Sequence, residues 1–163
     1  MAATLNHVSI SASDLDASAR FYEDVFGLRR IPTPNFGFPV CWLRVGDLQL
    51  HLFQRSVDAP AHHHFALTVQ DFESVYRKAE ERGAFDDTIN DGRIRVLPDG
   101  SVQMYLRDPD GNLVEVDYPH ASRLDRTLIT NLPTLEDSFP QSAENRKATL
   151  FLAGPSPIGP LND

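Results

Sequence analysis

The apolar positions of this chain run first at a period of two, then at a helical period, and the switch happens twice. Residues 5–11 read as a strand, with Val8 and Ile10 on one side and Leu5, His7 and Ser9 on the other. Asp14 then has the form of a helix N-cap, Leu15, Ser18, Phe21, Tyr22 and Val25 follow at helical spacing, and Gly27 closes the helix as its C′ residue. Residues 28–37 predict a short strand and a loop broken by Pro32 and Pro34, and residues 38–45 and 48–54 a hairpin around Gly46-Asp47. The pattern restarts with a strand over 62–69. Asp71 caps a helix carrying Phe72, Val75, Tyr76 and Ala79, and Gly83 ends it. Residues 84–100 predict a loop with a short strand near 94–97. A second hairpin, 101–107 and 112–118, turns on Asp108-Pro109-Asp110-Gly111, where proline presets φ and glycine supplies a positive one.

The two halves are an internal repeat of strand–helix–strand–strand–strand. His7 precedes the Asp14 cap by seven residues and His64 precedes Asp71 by the same seven. The fold class expected is α+β, as two tandem βαβββ modules with mixed sheets, over residues 1–56 and 57–120. Residues 119–163 differ in composition, holding six of the twelve prolines, and residues 121–163 form a proline-rich tail. They predict an arm, a lid or a partly ordered tail with one short helix over 124–132. Because the repeat closes at Tyr118, the tail is expected to be dispensable for folding.

In each strand the strongly apolar set has to cover the helix. The opposite face is left with His7, Ser9, Trp42, Arg44, Gln49, His51, Phe53, His64, Gln103, Tyr105, Arg107 and Glu115. So many polar and titratable groups suit the lining of a cavity or a bare face of sheet. Glu115 stands out, since a carboxylate in mid-strand on a covered sheet is unfavourable unless paired or bound to metal.

Composition narrows the functions. The chain has 163 residues and a formal charge of −8, without a basic patch, which argues against a nucleic-acid partner. No apolar run approaches membrane-spanning length, so no membrane partner is expected. The N-terminus shows neither the basic segment nor the apolar core of a secretory signal, and Cys41 is the single cysteine. A cytoplasmic location is the expectation.

Four segments carry a resemblance: Leu5-Asn-His-Val, then Asp14-Leu with Ala19-Arg-Phe-Tyr and Phe26-Gly-Leu28, then His64-Phe-Ala-Leu-Thr-Val, then Asp108-Pro-Asp-Gly-Asn-Leu-Val-Glu115. Over residues 5–118 the chain resembles the vicinal oxygen chelate superfamily, the group of glyoxalases, bleomycin resistance proteins and extradiol dioxygenases. The resemblance implies sheets curled around a shared cleft with a divalent metal held by His7, His64 and Glu115. It implies a fourth ligand from the last strand of the first module, for which His51 is the best match. Counted from Gly46 and Gly111, His51 falls one residue further along than Glu115, so that match needs a gap. Two imidazoles and a carboxylate suit Fe(II), which is favoured, or Mn, Ni or Zn, with positions left for substrate.

The expected function is a metal-dependent enzyme that binds a small oxygenated substrate through two neighbouring oxygens, with dioxygenase-like chemistry. His51, if not a ligand, would be the acid/base catalyst. Trp42, Arg44, Gln103, Tyr105 and Arg107 are the candidate substrate-binding residues, the two arginines suggesting an anionic substrate. A homodimer is expected. Three alternatives stay open. A glyoxalase-like lyase or isomerase would carry His51 where a carboxylate is usual. In a fosfomycin-type thiol transferase, Tyr105 matches a substrate-binding tyrosine, but Arg93 and Arg95 are the only cations in the 84–100 loop. A non-catalytic bleomycin-binding protein would stack a flat ligand on Trp42, Phe53 and Tyr105.

Overall fold

A computed structural model describes residues 5–89 and 94–152. Arg93 and the prolines at 155, 157 and 160 lie outside the described residues. The first half forms β1 (His7–Ala12), α1 (Leu15–Phe26), β2 (Arg29–Ile31), β3 (Val40–Val45) and β4 (Leu48–Gln54). The second half forms β5 (His64–Thr68), α2 (Phe72–Arg82), β6 (Ile94–Val96), β7 (Val102–Arg107) and β8 (Leu113–Tyr118). Each half folds into its own four-stranded sheet, in the orders β1-β4-β3-β2 and β5-β8-β7-β6. In both, the first and last strands pair in parallel and the others antiparallel. This is the α+β fold of two βαβββ modules that the repeat predicts.

Both helices begin and end for the reasons legible in the sequence. Asp14 accepts from the Ala17 N–H at 2.9 Å and Asp71 from the Ser74 N–H at 2.8 Å. Gly27 and Gly83 close them in the left-handed region, at φ of 68° and 59°. The apolar stripes then go inward. Ala19, Tyr22 and Val25 of α1 are buried with Leu43, Leu50 and Leu52, and Phe72, Val75 and Ala79 of α2 with Val102, Met104, Val114 and Val116.

The turn before β8 joins the halves. Asp110 accepts from the Ser13 backbone N–H at 2.7 Å, from the Ser13 hydroxyl, and from the Ser18 hydroxyl at 2.7 Å. Buried Asp108 accepts from the Tyr22 hydroxyl at 3.0 Å and from the Asn112 N–H at 2.8 Å. The Asn112 amide in turn donates to the Ser11 carbonyl at 2.9 Å. Between the helices, Arg82 meets Asp24 at 2.7 Å. The sequence reading took this turn as a hairpin only; the structure adds its role as a clasp.

One expectation about the tail needs correction. Residues 124–132 form no helix. Residues 121–123 make one turn of 3₁₀ helix, and a short helix, α3 (Leu135–Ser138), comes later. Leu124, Leu128, Ile129 and Leu132 serve as packing residues in an irregular segment instead. Leu124 and Ile129 are 5% and 1% exposed within the core. The tail also seals an edge, because the Val96 N–H donates to the Pro133 carbonyl at 2.9 Å and Val96 bridges Thr134 in parallel. These buried residues and the pairing with β6 stand against the expectation that the tail is dispensable. Ending the chain at His120 should therefore lower the melting temperature markedly. Ile129→Ala alone should cost about 2–5 kcal/mol and Ile129→Val no more than about 1.5 kcal/mol, measured by chemical denaturation. A truncated chain that melts like the full one would show the tail to be docked without contributing.

Candidate functional site

Glu115 lies in β8 opposite Tyr105 of β7 and Ala66 of β5. It is 5% exposed, and every nearby donor is turned toward it. The Gln103 amide donates to Oε1 at 2.6 Å and the Tyr105 hydroxyl to Oε2 at 2.9 Å. Burial first, and then the hydrogen bond to Glu115, raise the Tyr105 pKa, so the phenol stays protonated and donating. Asp117, two residues on, is pushed up by burial and by the negative charge of Glu115.

His64 completes this group, with Nε2 at 2.9 Å from Glu115 Oε2 and Nδ1 at 3.0 Å from the His62 carbonyl. A carbonyl only accepts, so Nδ1 carries the proton there. In a neutral ring Nε2 then presents a lone pair to a carboxylate, which also only accepts. Something positive has to lie between them, either a second proton or a metal cation. Anchoring one ring nitrogen on a backbone carbonyl is what a metal-ligating histidine does with the nitrogen that does not bind the metal.

The first sheet carries a matching group. His7 stacks on His51 at 4.3 Å between ring centroids, and His51 stacks on Trp42 at 4.2 Å. His7 Nδ1 lies 2.9 Å from the Asn6 side-chain oxygen, and His51 Nε2 lies 2.8 Å from that of Gln49. Each ring is again anchored through one nitrogen, leaving Nε2 of His7 and Nδ1 of His51 for a ligand. Burial, then the neighbouring His7, lower the His51 pKa and favour its neutral form.

The two groups occupy equivalent positions. His7 pairs with Gln49, two residues before His51, and His64 pairs with Leu113, two residues before Glu115. Trp42 faces His51 as Tyr105 faces Glu115. No gap is needed, which corrects the count made from the turn glycines. Residues 46–47 close the first hairpin and residues 108–112 the second, so distance from a glycine is not distance along the sheet.

Within one chain the structure does not bring the expected trio together. Among the described residues no three His, Cys, Asp or Glu side chains stand close enough to hold a metal ion. His64 and Glu115 are one pair, His7 and His51 another. The outer strands β1 and β5 flank a crevice of about 400 Å³ lined by Val8, Ile10, Pro60, His64 and Phe65. The donors present suit a divalent metal in kind, but each group supplies only two.

Of the candidate substrate-binding residues, Trp42 lies in the first group and Gln103 and Tyr105 in the second. Arg44 is exposed and donates through Nε to the Gly46 carbonyl at 2.9 Å. Arg107 is committed elsewhere: Nε meets Asp86 at 2.6 Å, and the terminal nitrogens donate to the Gly111 and Ala61 carbonyls at 2.9 and 2.8 Å. In this structure its guanidinium anchors loops. The sequence reading missed Phe36 and Phe38, which lean over Trp42 and Phe53. Two phenylalanines in a proline-broken loop with no helix to cover them were the available signal.

The Arg107 anchor sets a pH dependence. Burial alone would raise the Asp86 pKa, but hydrogen bonds from the Thr88 hydroxyl, from Arg107 and from the Thr88 and Ile89 N–H groups outweigh it and depress it. The unfolded chain then takes up this proton first as pH falls. The stability is present above the ordinary carboxylate range and is lost as pH drops through the folded pKa. Asp86→Asn should lower the melting temperature at pH 7 and flatten its decline between about pH 5 and pH 2. An unchanged slope would assign that decline to other carboxylates.

Comparison with known proteins places the chain. The family model described as Glyoxalase/Bleomycin resistance protein/Dioxygenase superfamily matches residues 4–116. YwbC of Bacillus subtilis (strain 168), an uncharacterized protein, is 34% identical over 125 residues, spanning 71% of this chain and 97% of its own. The metallothiol transferase FosB of Shouchella clausii is 28% identical over 148 residues, spanning 88% of this chain and 97% of its own. Among solved structures, the oxidase ChaP-H1 superposes with a TM-score of 0.58 at 32% identity, over 72% of this chain and 96% of that one.

Proposed function

The chain belongs to the glyoxalase/bleomycin resistance protein/dioxygenase superfamily, and on that premise we propose that it is a divalent-metal enzyme with dioxygenase-like chemistry on a small oxygenated substrate. The observation that carries this reading is the meeting of His64 Nε2 and Glu115 Oε2 at 2.9 Å, a pair that a metal cation or a shared proton would hold together, with their other atoms anchored. Fe(II) is the favoured metal, on the two-histidine, one-carboxylate set of His7, His64 and Glu115. The metal, when bound, supplies a Lewis-acid centre for two neighbouring substrate oxygens.

The chain's own residues do the remainder. Gln103 and Tyr105 hold the Glu115 carboxylate in one orientation, so the anion keeps its place without hydration. Asn6 and Gln49 fix the rings of His7 and His51. His51, kept neutral by its surroundings, takes a proton from a substrate hydroxyl. Because the first half supplies His7 and the second supplies His64 and Glu115, the reading has the first module of one copy meet the second module of another, in a homodimer. The length of the FosB match favours a second reading, a thiol transferase that opens an epoxide on the same metal.

Protein purified without chelator or affinity tag should retain a first-row divalent metal after dialysis. Glu115→Gln keeps the shape and removes the charge, and should lose affinity for that metal by more than the roughly 10–100-fold typical of changes behind the ligands. His7→Ala and His64→Ala should behave alike, while His51→Ala should reduce turnover more than metal content. Oxygen uptake with a catechol panel, run beside thiol addition to fosfomycin, separates the two reactions. Equal metal content in wild type and Glu115→Gln would remove the metal site.

A further inference from the structure

The face of the first sheet that carries His51 also carries an aromatic wall. Trp42 pairs with His51 and Phe53 pairs with Val40, so Trp42, His51 and Phe53 share one face of β3 and β4. The connection between β2 and β3 folds back over them. Phe36 stands 6.0 Å from Trp42 and 6.3 Å from Phe53 between ring centroids, and Phe38 stands 5.9 Å from Phe53. His51 is 6.4 Å from Phe53. The rings hold each other in place yet stay uncovered, with Phe36 45% and Phe38 38% exposed. A contiguous exposed aromatic patch marks a binding surface.

Two donors at this wall have no acceptor or ion-pair partner among the described residues. The indole Nε1 of Trp42 is covered and finds no acceptor among the described residues. The Arg55 guanidinium lies 5.1 Å above the Phe38 ring and makes no ion pair with a carboxylate among the described residues, in a chain of net charge −8. A ring-stacked guanidinium without a carboxylate is ready to take an anion from outside.

We propose that this wall seats the body of the substrate, and that the body is a flat aromatic ring system bearing an anionic oxygen group, with rings against Phe36 and Phe38 and anion on Arg55. The inference rests on the metal-enzyme reading, in which His51 stands at the reacting end of the same molecule. Aromatic rings select a flat partner through stacked and edge contacts, which an aliphatic anion cannot return. Arg55 supplies the charge selection. This gives the chain the anionic preference first assigned to Arg44 and Arg107, from a different residue.

Trp42 is the only tryptophan, so its emission reports occupancy of the wall directly. The probes are 1-hydroxy-2-naphthoate, uncharged 2-naphthol and cyclohexanecarboxylate, titrated by calorimetry and Trp42 emission into full-length protein, both metal-loaded and metal-stripped. Naphthoate should bind at least about tenfold more tightly than cyclohexanecarboxylate and perturb Trp42 in both preparations. Arg55→Gln should weaken naphthoate about tenfold and leave 2-naphthol unchanged. Phe38→Ser should weaken both aromatics, and Phe38→Leu less, with melting curves kept as the check on folding. Equal affinity for naphthoate and cyclohexanecarboxylate, or unchanged affinity in Phe38→Ser, overturns the proposal. So does a dimer that falls apart in the Phe36→Ser/Phe38→Ser double variant without ligand, which would make a second copy the occupant. Metal content measured on the same samples keeps the two readings apart. Naphthoate binding by protein that retains no metal leaves the wall standing and removes the metal site, and metal retention without naphthoate binding does the reverse.

Discussion

Asp108 and Asp110 sit in the turn before β8, and several of the donors they need lie on the other half of the chain. Asp108 is buried and takes Tyr22 of α1 as one of its donors, while Asp110 takes Ser13 and Ser18. Pulling the modules apart would break these hydrogen bonds and return Asp110 to water, while Asp108 would keep the donors of its own turn, so the clasp contributes the net worth of the bonds it makes across the halves. The same turn holds Arg107 through the Gly111 carbonyl, and Arg107 holds Asp86. One short turn therefore fixes the module contact, the loop after α2 and the start of the strand that bears Glu115.

The repeat has kept its positions and changed its chemistry. At matched places on the two sheets stand His7 with His51 and His64 with Glu115. Opposite them stand Trp42 in one sheet and Tyr105 in the other. The first group is flat rings stacked on one another. The second is an anion with donors around it. A single ancestral pattern has thus yielded an aromatic half and an ionic half, and a substrate lying between two such surfaces would meet apolar contact on one side and charge on the other.

Much of this was legible in the chain. The caps at Asp14 and Asp71, the terminating glycines and the alternation in β4, β7 and β8 are local signals, and local geometry obeys them. The equivalence of His51 and Glu115 was hidden because hairpins of different turn length shift any count made from the turn. The separation of His7 from Glu115 was hidden for a deeper reason. Periodicity says which face of a sheet a residue occupies, but not how two sheets are set against each other. The tail was misread because Leu124 and Ile129 pack without a regular period, so nothing in their spacing announced burial.

The two sheets protect their outer edges by unlike means. β2 presents Arg29 and Arg30, with Arg30 tied to Asp16 and Glu23 of α1, and charge on an edge strand discourages another strand from docking. β6 is Ile94-Arg95-Val96, with Arg95 buried, and its edge takes backbone from residues 133–134. The first protection is built into the strand and survives anything short of unfolding. The second is on loan from a distant part of the chain and can be withdrawn by a single proteolytic cut. A nicked chain would then expose a strand edge with open hydrogen-bonding groups, a place where another strand can dock.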